Sequence, residues 1–398
     1  MQQFNFATIG ALLFAASLVA VLSRRLNFPY SVGLVAAGIA IALFAPGIAP
    51  LFGHDLIYYV LLPPLVFEAA IQIPWTPFRR ELPLLIALVT VGVAIAAVVV
   101  AAGMYWLIGW SWIGAALFGV LVAATDPVAV IATFKSMKVA PRLHLLVESE
   151  SLLNDAVAAV GFAVLVGIAA GGGASARAIG LNFVETVFGG VFAGAAVALP
   201  LIIIAGRTTD RLIEVTLTML IAFGSFILAE HFGASGILAT LTAGLIVGNY
   251  GFMGSISEDG RQGVLHHWEY VAFLANSLIF ILIGGRETVI PILVVTEAAL
   301  IAFVLSLVGR AVSVYPVLAV FAPTRLRVPS AYEHILFWGG LRGALALALS
   351  LVLPPSIPER DSIIAVTFAV VAFSIFLQGL TMPWLIHRCT TDTEPDWH

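Results

Sequence analysis

The sequence predicts an all-α polytopic membrane protein, and three observations carry that reading. Of 398 residues, 61% are hydrophobic and only 10% are charged. Mean hydropathy is +1.08, far above that of a soluble domain. The apolar residues also fall into runs separated by turn signals, and each run approaches the roughly 20 residues that a helix needs to cross ~30 Å of hydrocarbon.

Taken in order, about thirteen such runs fit the chain. They are 4–23, 29–46, 55–74, 82–108, 112–134, 143–170, 180–205, 212–231, 234–250, 266–285, 289–321, 331–353 and 362–387. The first is read as a retained helix, because its arginines, Arg24 and Arg25, follow the apolar run where a cleaved leader would carry them in front. Alternate placement of the spans gathers Arg24, Arg25, Arg79, Arg80, Lys135, Lys138, Arg142, Arg207, Arg211, Arg261, Arg325, Arg327 and Arg388 on one side. Arg177, Arg286 and Arg360 fall near the other. Basic residues favour the cytoplasmic side, so the N-terminus is expected outside and the C-terminus, a short polar tail, inside.

Net charge is −4 and the basic residues form no stripe, which argues against nucleic-acid binding. One cysteine, Cys389, permits neither an intrachain disulfide nor a cysteine metal site. No cofactor is expected.

Two spans are interrupted at comparable places in the two halves. In the fifth, Pro127 removes a backbone donor and disfavours helix at Asp126. In the twelfth, Gly339, Gly340 and Gly343 surround Arg342, where helix propensity is poor. Paired interruptions point to an inverted repeat with a binding site at the bilayer midplane.

Charges inside spans cost about 2.5–3.5 kcal/mol each on insertion scales, so they mark partners or ion pathways. Here they are Glu68, Asp126, Asp155, Arg310 and Arg342, with Glu150 nearer a membrane face. On the sixth span Ser151 and Asp155 share one helix face, and Glu150 and Asn154 share the next. These are hard oxygen donors, suited to Na⁺, Li⁺ or a proton over a soft transition metal. Carbonyls freed where the fifth span unwinds at Thr125 and Asp126 are candidate further ligands. Glu150 is assigned a structural ion pair with Arg342, which leaves Asp155 to titrate. Asp126 either ligates the ion or neutralises the positive ends of half-helices.

Three motifs, ATDPVAV (124–130), ESLLNDAV (150–157) and GGLRGALA (339–346), together resemble the cation/proton antiporter family. The likeness is to its prokaryotic electroneutral sodium/proton branch, related to the animal sodium/hydrogen exchangers. LPPLVFEAAI (62–71), ASGILATLTAGLIVGN (234–249) and GRAVSVYP (309–316) are weaker echoes. The resemblance implies thirteen helices in inverted repeats, with two crossed discontinuous helices in a core domain near 82–170 and 289–388. A dimerisation domain near 4–74 and 180–285 and elevator-like movement in a homodimer are implied with it. It further implies that Asp155 carries Na⁺ and H⁺ in turn. Thr125, Ser151 and the Asp126 region would complete the site, with Glu68 acting through water. Asn154 stands where the electrogenic branch has a second aspartate, a difference associated with one-for-one exchange. Ser149 departs from a glycine common in the family, and no counterpart of the cytoplasmic regulatory domain of the animal exchangers is expected, so their regulation is not carried over. The expected setting is the cell (inner) membrane and pH homeostasis.

Rival readings are a K⁺/H⁺ exchanger, a passive cation channel, and an intramembrane serine protease built on GASG (233–236). The last lacks a mid-span histidine to activate Ser235, which is read as a packing residue. His144, His266, His267 and His334 are placed near the cytoplasmic face, and Trp106, Trp110, Trp112 and Trp384 at interfaces. Gly190 and Gly194 form a Gly-x-x-x-Gly pair that closes a helix contact, either within one chain or between two.

Overall fold

The computed structural model describes residues 6–26, 28–44, 55–137, 139–171, 176–287 and 292–391. Lys138, the glycine-rich stretch 172–175 and the end of the polar tail, 392–398, lie outside the described residues. Among the described residues, sixteen α-helices occur in chain order: α1 (Phe6–Leu26), α2 (Tyr30–Phe44), α3 (Leu62–Gln72), α4 (Trp75–Ala87), α5 (Val93–Gly103), α6 (Trp112–Ala123), α7 (Val128–Met137), α8 (Pro141–Ala169), α9 (Ala176–Ala205), α10 (Arg211–His231), α11 (Gly236–Asn249), α12 (Glu258–Glu287), α13 (Ile292–Phe321), α14 (Ser330–Trp338), α15 (Ala344–Leu351) and α16 (Arg360–Thr391). Among the described residues, eight helical segments are long and apolar enough to cross a membrane, and four shorter apolar helices accompany them. The protein is a multi-pass membrane protein.

Wider turns explain how α4 and α5 make one long span. A π-helical segment at Leu88–Gly92 joins them, and the helix runs from Trp75 to Ile108 before Gly109, at φ 79°, takes the left-handed turn that favours glycine. α12 begins at Glu258, eight residues before the apolar run. Its start is fixed by the Ser257 hydroxyl, which accepts the Gly260 N–H at 3.0 Å, and by Glu258 and Asp259 in the first turn. Hydropathy alone misses such polar first turns.

The chain forms two compact units. One comprises 1–52, 83–154 and 277–398. Within it α6 packs so closely on α5 that a Cβ at Gly119 would stand 2.3 Å from the Ala97 carbonyl oxygen. The other comprises 53–82 and 155–276. Its core gathers Phe67, Ile71, Ile202, Ile221, Val247 and Trp268, with the Phe67 and Trp268 rings 4.6 Å apart. Trp268 donates its indole N–H to Thr218 Oγ1 at 2.9 Å, so its polar edge is satisfied in the apolar core.

Three sequence readings are sharpened here. Cβ atoms at Gly190 and Gly194 would lie 2.6 Å from the Ser235 carbonyl oxygen and 2.3 Å from that of Ala239, so this glycine pair packs α9 on α11 within one chain. Ser235 caps α11, accepting the Leu238 N–H at 3.3 Å. Trp110 is buried edge-on against Phe118 at 5.3 Å, just after the turn at Gly109, whereas Trp106, Trp112 and Trp384 stay exposed.

Candidate functional site

The chain unwinds at 124–127, between α6 and α7, and at 339–343, between α14 and α15, and the two breaks meet backbone to backbone. The Asp126 N–H donates to the Leu341 carbonyl at 2.7 Å, forming an isolated antiparallel bridge. Pro127 supplies no N–H and Gly343 no side chain, and both omissions matter. A Cβ at Gly343 would come 2.1 Å from the Asp126 Cβ, so the close approach requires glycine. The Asp126 carboxylate accepts the Val128 N–H at 2.9 Å, at the first residue of α7. Its other neighbouring donor is the Ala344 N–H, at the first residue of α15. One acid therefore faces the positive ends of two half-helices.

Facing the first break is the polar stretch of α8. Ser149, Glu150, Ser151 and Asn154 are all buried, as is Thr125. The Ser151 hydroxyl donates to the Thr125 carbonyl oxygen, and the Thr125 hydroxyl donates to Ser151 Oγ at 3.4 Å. The Asn154 amide donates to the Ala123 carbonyl at 3.1 Å, to Thr125 Oγ1 at 3.2 Å and to Glu150 Oε1 at 3.5 Å. Carbonyls released by unwinding are thus taken up by side chains, as a buried backbone demands.

The expected Glu150–Arg342 ion pair is not what forms. Arg310, on α13, grips Glu150 with two nitrogens, Nη1 to Oε1 at 2.7 Å and Nη2 to Oε2 at 2.9 Å. Nη2 also donates to the Leu336 carbonyl at 3.0 Å. Arg342 instead spends its guanidinium on carbonyls: Ala123 at 3.1 Å, Ala124 at 3.3 Å and Ser306 at 3.2 Å. The physical reason is the break itself. Arg342 sits at the unwound backbone, where uncovered carbonyls offer a planar cation several acceptors, while Arg310 comes from an intact helix and reaches the acid as a fork. Two arginines thus share one carboxylate neighbourhood, with Glu150 attracting Arg342 and Arg310 repelling it. Sequence reasoning noted Arg310 in mid-span and left it without a partner. The usable signal was arithmetic, since two buried arginines and one buried glutamate always leave a choice.

Asp155 follows Asn154 on α8, one turn beyond Ser151, and is only partly buried. Glu68 lies on α3 in the second compact unit and accepts a hydrogen bond from the Gln72 amide. The structure therefore brings Thr125, Asp126, Ser151, Asn154, Glu150, Arg310 and Arg342 together within one compact unit. Glu148, buried one turn toward the start of α8, sits 3.4 Å from His144.

Comparison with known proteins gives the family and the fold. The family described as sodium/hydrogen exchanger, transmembrane, matches residues 11–388. The chain is 34% identical over 390 residues to the Na(+)/H(+) antiporter ApNhaP of Aphanothece halophytica, covering 98% of this chain and 74% of that one. It is 33% identical over 394 residues to the Na(+)/H(+) antiporter NhaP of Pseudomonas aeruginosa, covering 92% of each. The solved structure of the sodium proton antiporter MjNhaP1 from Methanocaldococcus jannaschii at pH 8 superposes with a TM-score of 0.78 at 19% identity, over 96% of this chain and 97% of that one. With its matched family region, its like-folded neighbour and its paired helix breaks, the chain belongs to the sodium/hydrogen exchanger family of transporters.

Proposed function

We propose that the protein exchanges Na⁺ or Li⁺ for H⁺ across the cell membrane, one for one, with Asp155 as the group that carries each in turn. The observation that carries this reading is the placement of Asp155 on α8 one turn from Ser151, whose hydroxyl meets the unwound backbone at Thr125. The relatives' names as Na(+)/H(+) antiporters supply the substrates. A carboxylate that binds either a proton or a cation, but not both, couples the two fluxes without separate gates. Asp155 releases its proton on the low-proton side as Na⁺ arrives, crosses loaded, and is reprotonated on the other side.

Thr125 and Ser151 serve as hard-oxygen ligands for Na⁺, with Asp126 holding the two half-helices and Glu68 acting through water. Asn154 keeps the charge at one acid per cycle, which makes exchange electroneutral. Glu150 and Arg310 form a structural pair. We extend the proposal to the larger architecture: thirteen spans in inverted repeats with the interrupted helices crossed, an N-terminus outside, a cytoplasmic C-terminus, and a homodimer. A core domain near 82–170 and 289–388 moves as an elevator past a scaffold near 4–74 and 180–285. The role is pH homeostasis.

The test is Asp155→Asn in proteoliposomes under an imposed Na⁺ gradient, read with a pH-sensitive dye. Loss of Na⁺-driven pH change is expected; substantial residual exchange would remove Asp155 from this role. Running Na⁺, Li⁺ and K⁺ gradients side by side, with and without an imposed voltage, separates Na⁺ from K⁺ exchange. Steep ion current without obligatory proton exchange would mark a passive channel.

A further inference from the structure

A groove of about 570 Å³ in the second compact unit, lined by none of the ion-site residues named above, has the makings of a ligand site. Its volume lies within the ~300–1,000 Å³ of small-molecule pockets. One wall is a single stripe of α9. Asn182, Glu185 and Thr186 form its first turn, and Gly189, Phe192, Ala193 and Ala196 continue it for three more. The opposite wall is the end of α10 and the turn after it, from Leu228 to Ala234. At 1.5 Å per residue the stripe runs about 21 Å, more than half the ~30 Å hydrocarbon thickness.

Polarity changes once along that length. Polar side chains occupy the end nearest the start of α9, and only small or aromatic apolar ones follow. Phe192 and Phe232 stand 76% and 75% exposed at the rim. The absence of side chains at Gly189 and short ones at Ala193 and Ala196 form the trough. Among the lining residues Glu185 carries the one charge, so the mouth favours a cation over the anionic headgroups that basic clusters attract. The Thr186 carbonyl is already engaged by the Ser235 N–H at 3.1 Å, so the polar groups offered at this level are the side chains of Asn182, Glu185 and Thr186.

We propose that this groove is a binding site for a phospholipid with a primary-amine headgroup, its ammonium held by Glu185 and Asn182 and one acyl chain laid along Gly189, Ala193 and Ala196. A primary ammonium offers three donors to the carboxylate and the Asn182 side-chain carbonyl, and the Thr186 hydroxyl can reach the lipid phosphate. A quaternary ammonium has no donors, and an anionic headgroup meets Glu185 with like charge.

The experiment is native mass spectrometry of the intact purified protein titrated with phosphatidylethanolamine, phosphatidylcholine or phosphatidylglycerol of matched chains, with free ethanolamine as competitor. Wild-type protein is expected to prefer phosphatidylethanolamine over phosphatidylglycerol, and free ethanolamine at the same concentration is expected not to displace it. Glu185→Gln should reduce that preference at least fivefold while leaving acyl-chain binding. Ala196→Phe, placed on an exposed lining position, should lower binding of all three lipids without loss of folded protein. Equal binding of the three lipids by wild-type protein would overturn the proposal, as would displacement by ethanolamine alone or unchanged lipid binding in Ala196→Phe. Conversion of a dimer to a monomer by Ala196→Phe with lipid binding intact would assign the groove to a second copy of the chain instead.

Discussion

Replacing Arg310 by methionine removes both bonds to Glu150 and the bond to the Leu336 carbonyl, while keeping an unbranched apolar side chain of similar length. Glu150 is 3% exposed and Arg310 7%, so water cannot replace the lost donors. Removing one partner of a buried pair costs about 3–5 kcal/mol, or roughly two to four decades in the folding equilibrium. Arg342→Met leaves Glu150 paired, while the Ala123 carbonyl keeps the Asn154 amide and the Ser306 carbonyl lies within helix α13, so it should cost less, about 1–3 kcal/mol. Glu150→Gln strands two guanidiniums near each other and should approach the Arg310→Met loss. The assay is denaturant unfolding in detergent micelles, followed by tryptophan fluorescence, arranged as two double-mutant cycles. Glu150 with Arg310 should show a coupling energy well above that of Glu150 with Arg342. A larger coupling to Arg342 would refute the pairing argued here and restore the one the sequence suggested.

Three further outcomes follow from the helix breaks and the α9 contact. Asp126→Ala removes the group facing both half-helix N-termini and should cost about 1–2 kcal/mol in the same unfolding assay, whereas Asp126→Asn retains a cap and should cost less than half of that. Equal losses for the two would show that charge, not capping, is what the breaks need. Gly343→Ala drives a Cβ into Asp126 and should abolish Na⁺-driven pH change in proteoliposomes, with wild-type rates refuting the backbone bridge as drawn. Gly194→Val meets the Ala239 backbone and should lower thermal stability by an overpacking cost of about 1–3 kcal/mol; an unchanged melting temperature would show that α9 and α11 are not in backbone contact.

The helix breaks were legible because their causes are local. Pro127 lacks a donor wherever it sits, and the glycines at 339, 340 and 343 weaken a helix without help from any neighbour. Asp126 facing the half-helix ends was one of the two roles that the same local chemistry offered. Partners across the fold were not legible, because sequence spacing says which residues share a face of α8 and nothing about which guanidinium arrives there, from α13 or from the break between α14 and α15. The polar first turns of α4 and α12 escaped for a related reason: an apolar window sees where hydrocarbon begins, while a helix begins at its cap. Burial of Trp110 was not legible either: a left-handed glycine turn one residue earlier sets it against Phe118, and sequence does not announce that contact.

Asn154 is where charge balance can be argued from geometry. Its amide nitrogen faces three oxygens, those of the Ala123 carbonyl, the Thr125 hydroxyl and the Glu150 carboxylate, and the residue is 0% exposed. Its own carbonyl oxygen has no hydrogen-bond partner among the described residues. Aspartate at this position would put an acceptor against acceptors, two of them at 3.1 and 3.2 Å, and would set a second negative charge one turn from Glu150. Each uncovered buried acceptor costs about 1–3 kcal/mol, so an ionised side chain loses on two counts; a proton held on it restores one of the three contacts. Asn154→Asp is therefore expected to destabilise the protein without supplying a second mobile charge. In proteoliposomes its Na⁺-driven proton flux should be slower than wild type and remain insensitive to a potassium diffusion potential set with valinomycin. A pH change driven by voltage in this variant would mean that the new carboxylate ionises in the transport cycle, and that the acceptor cluster around position 154 rearranges to admit it.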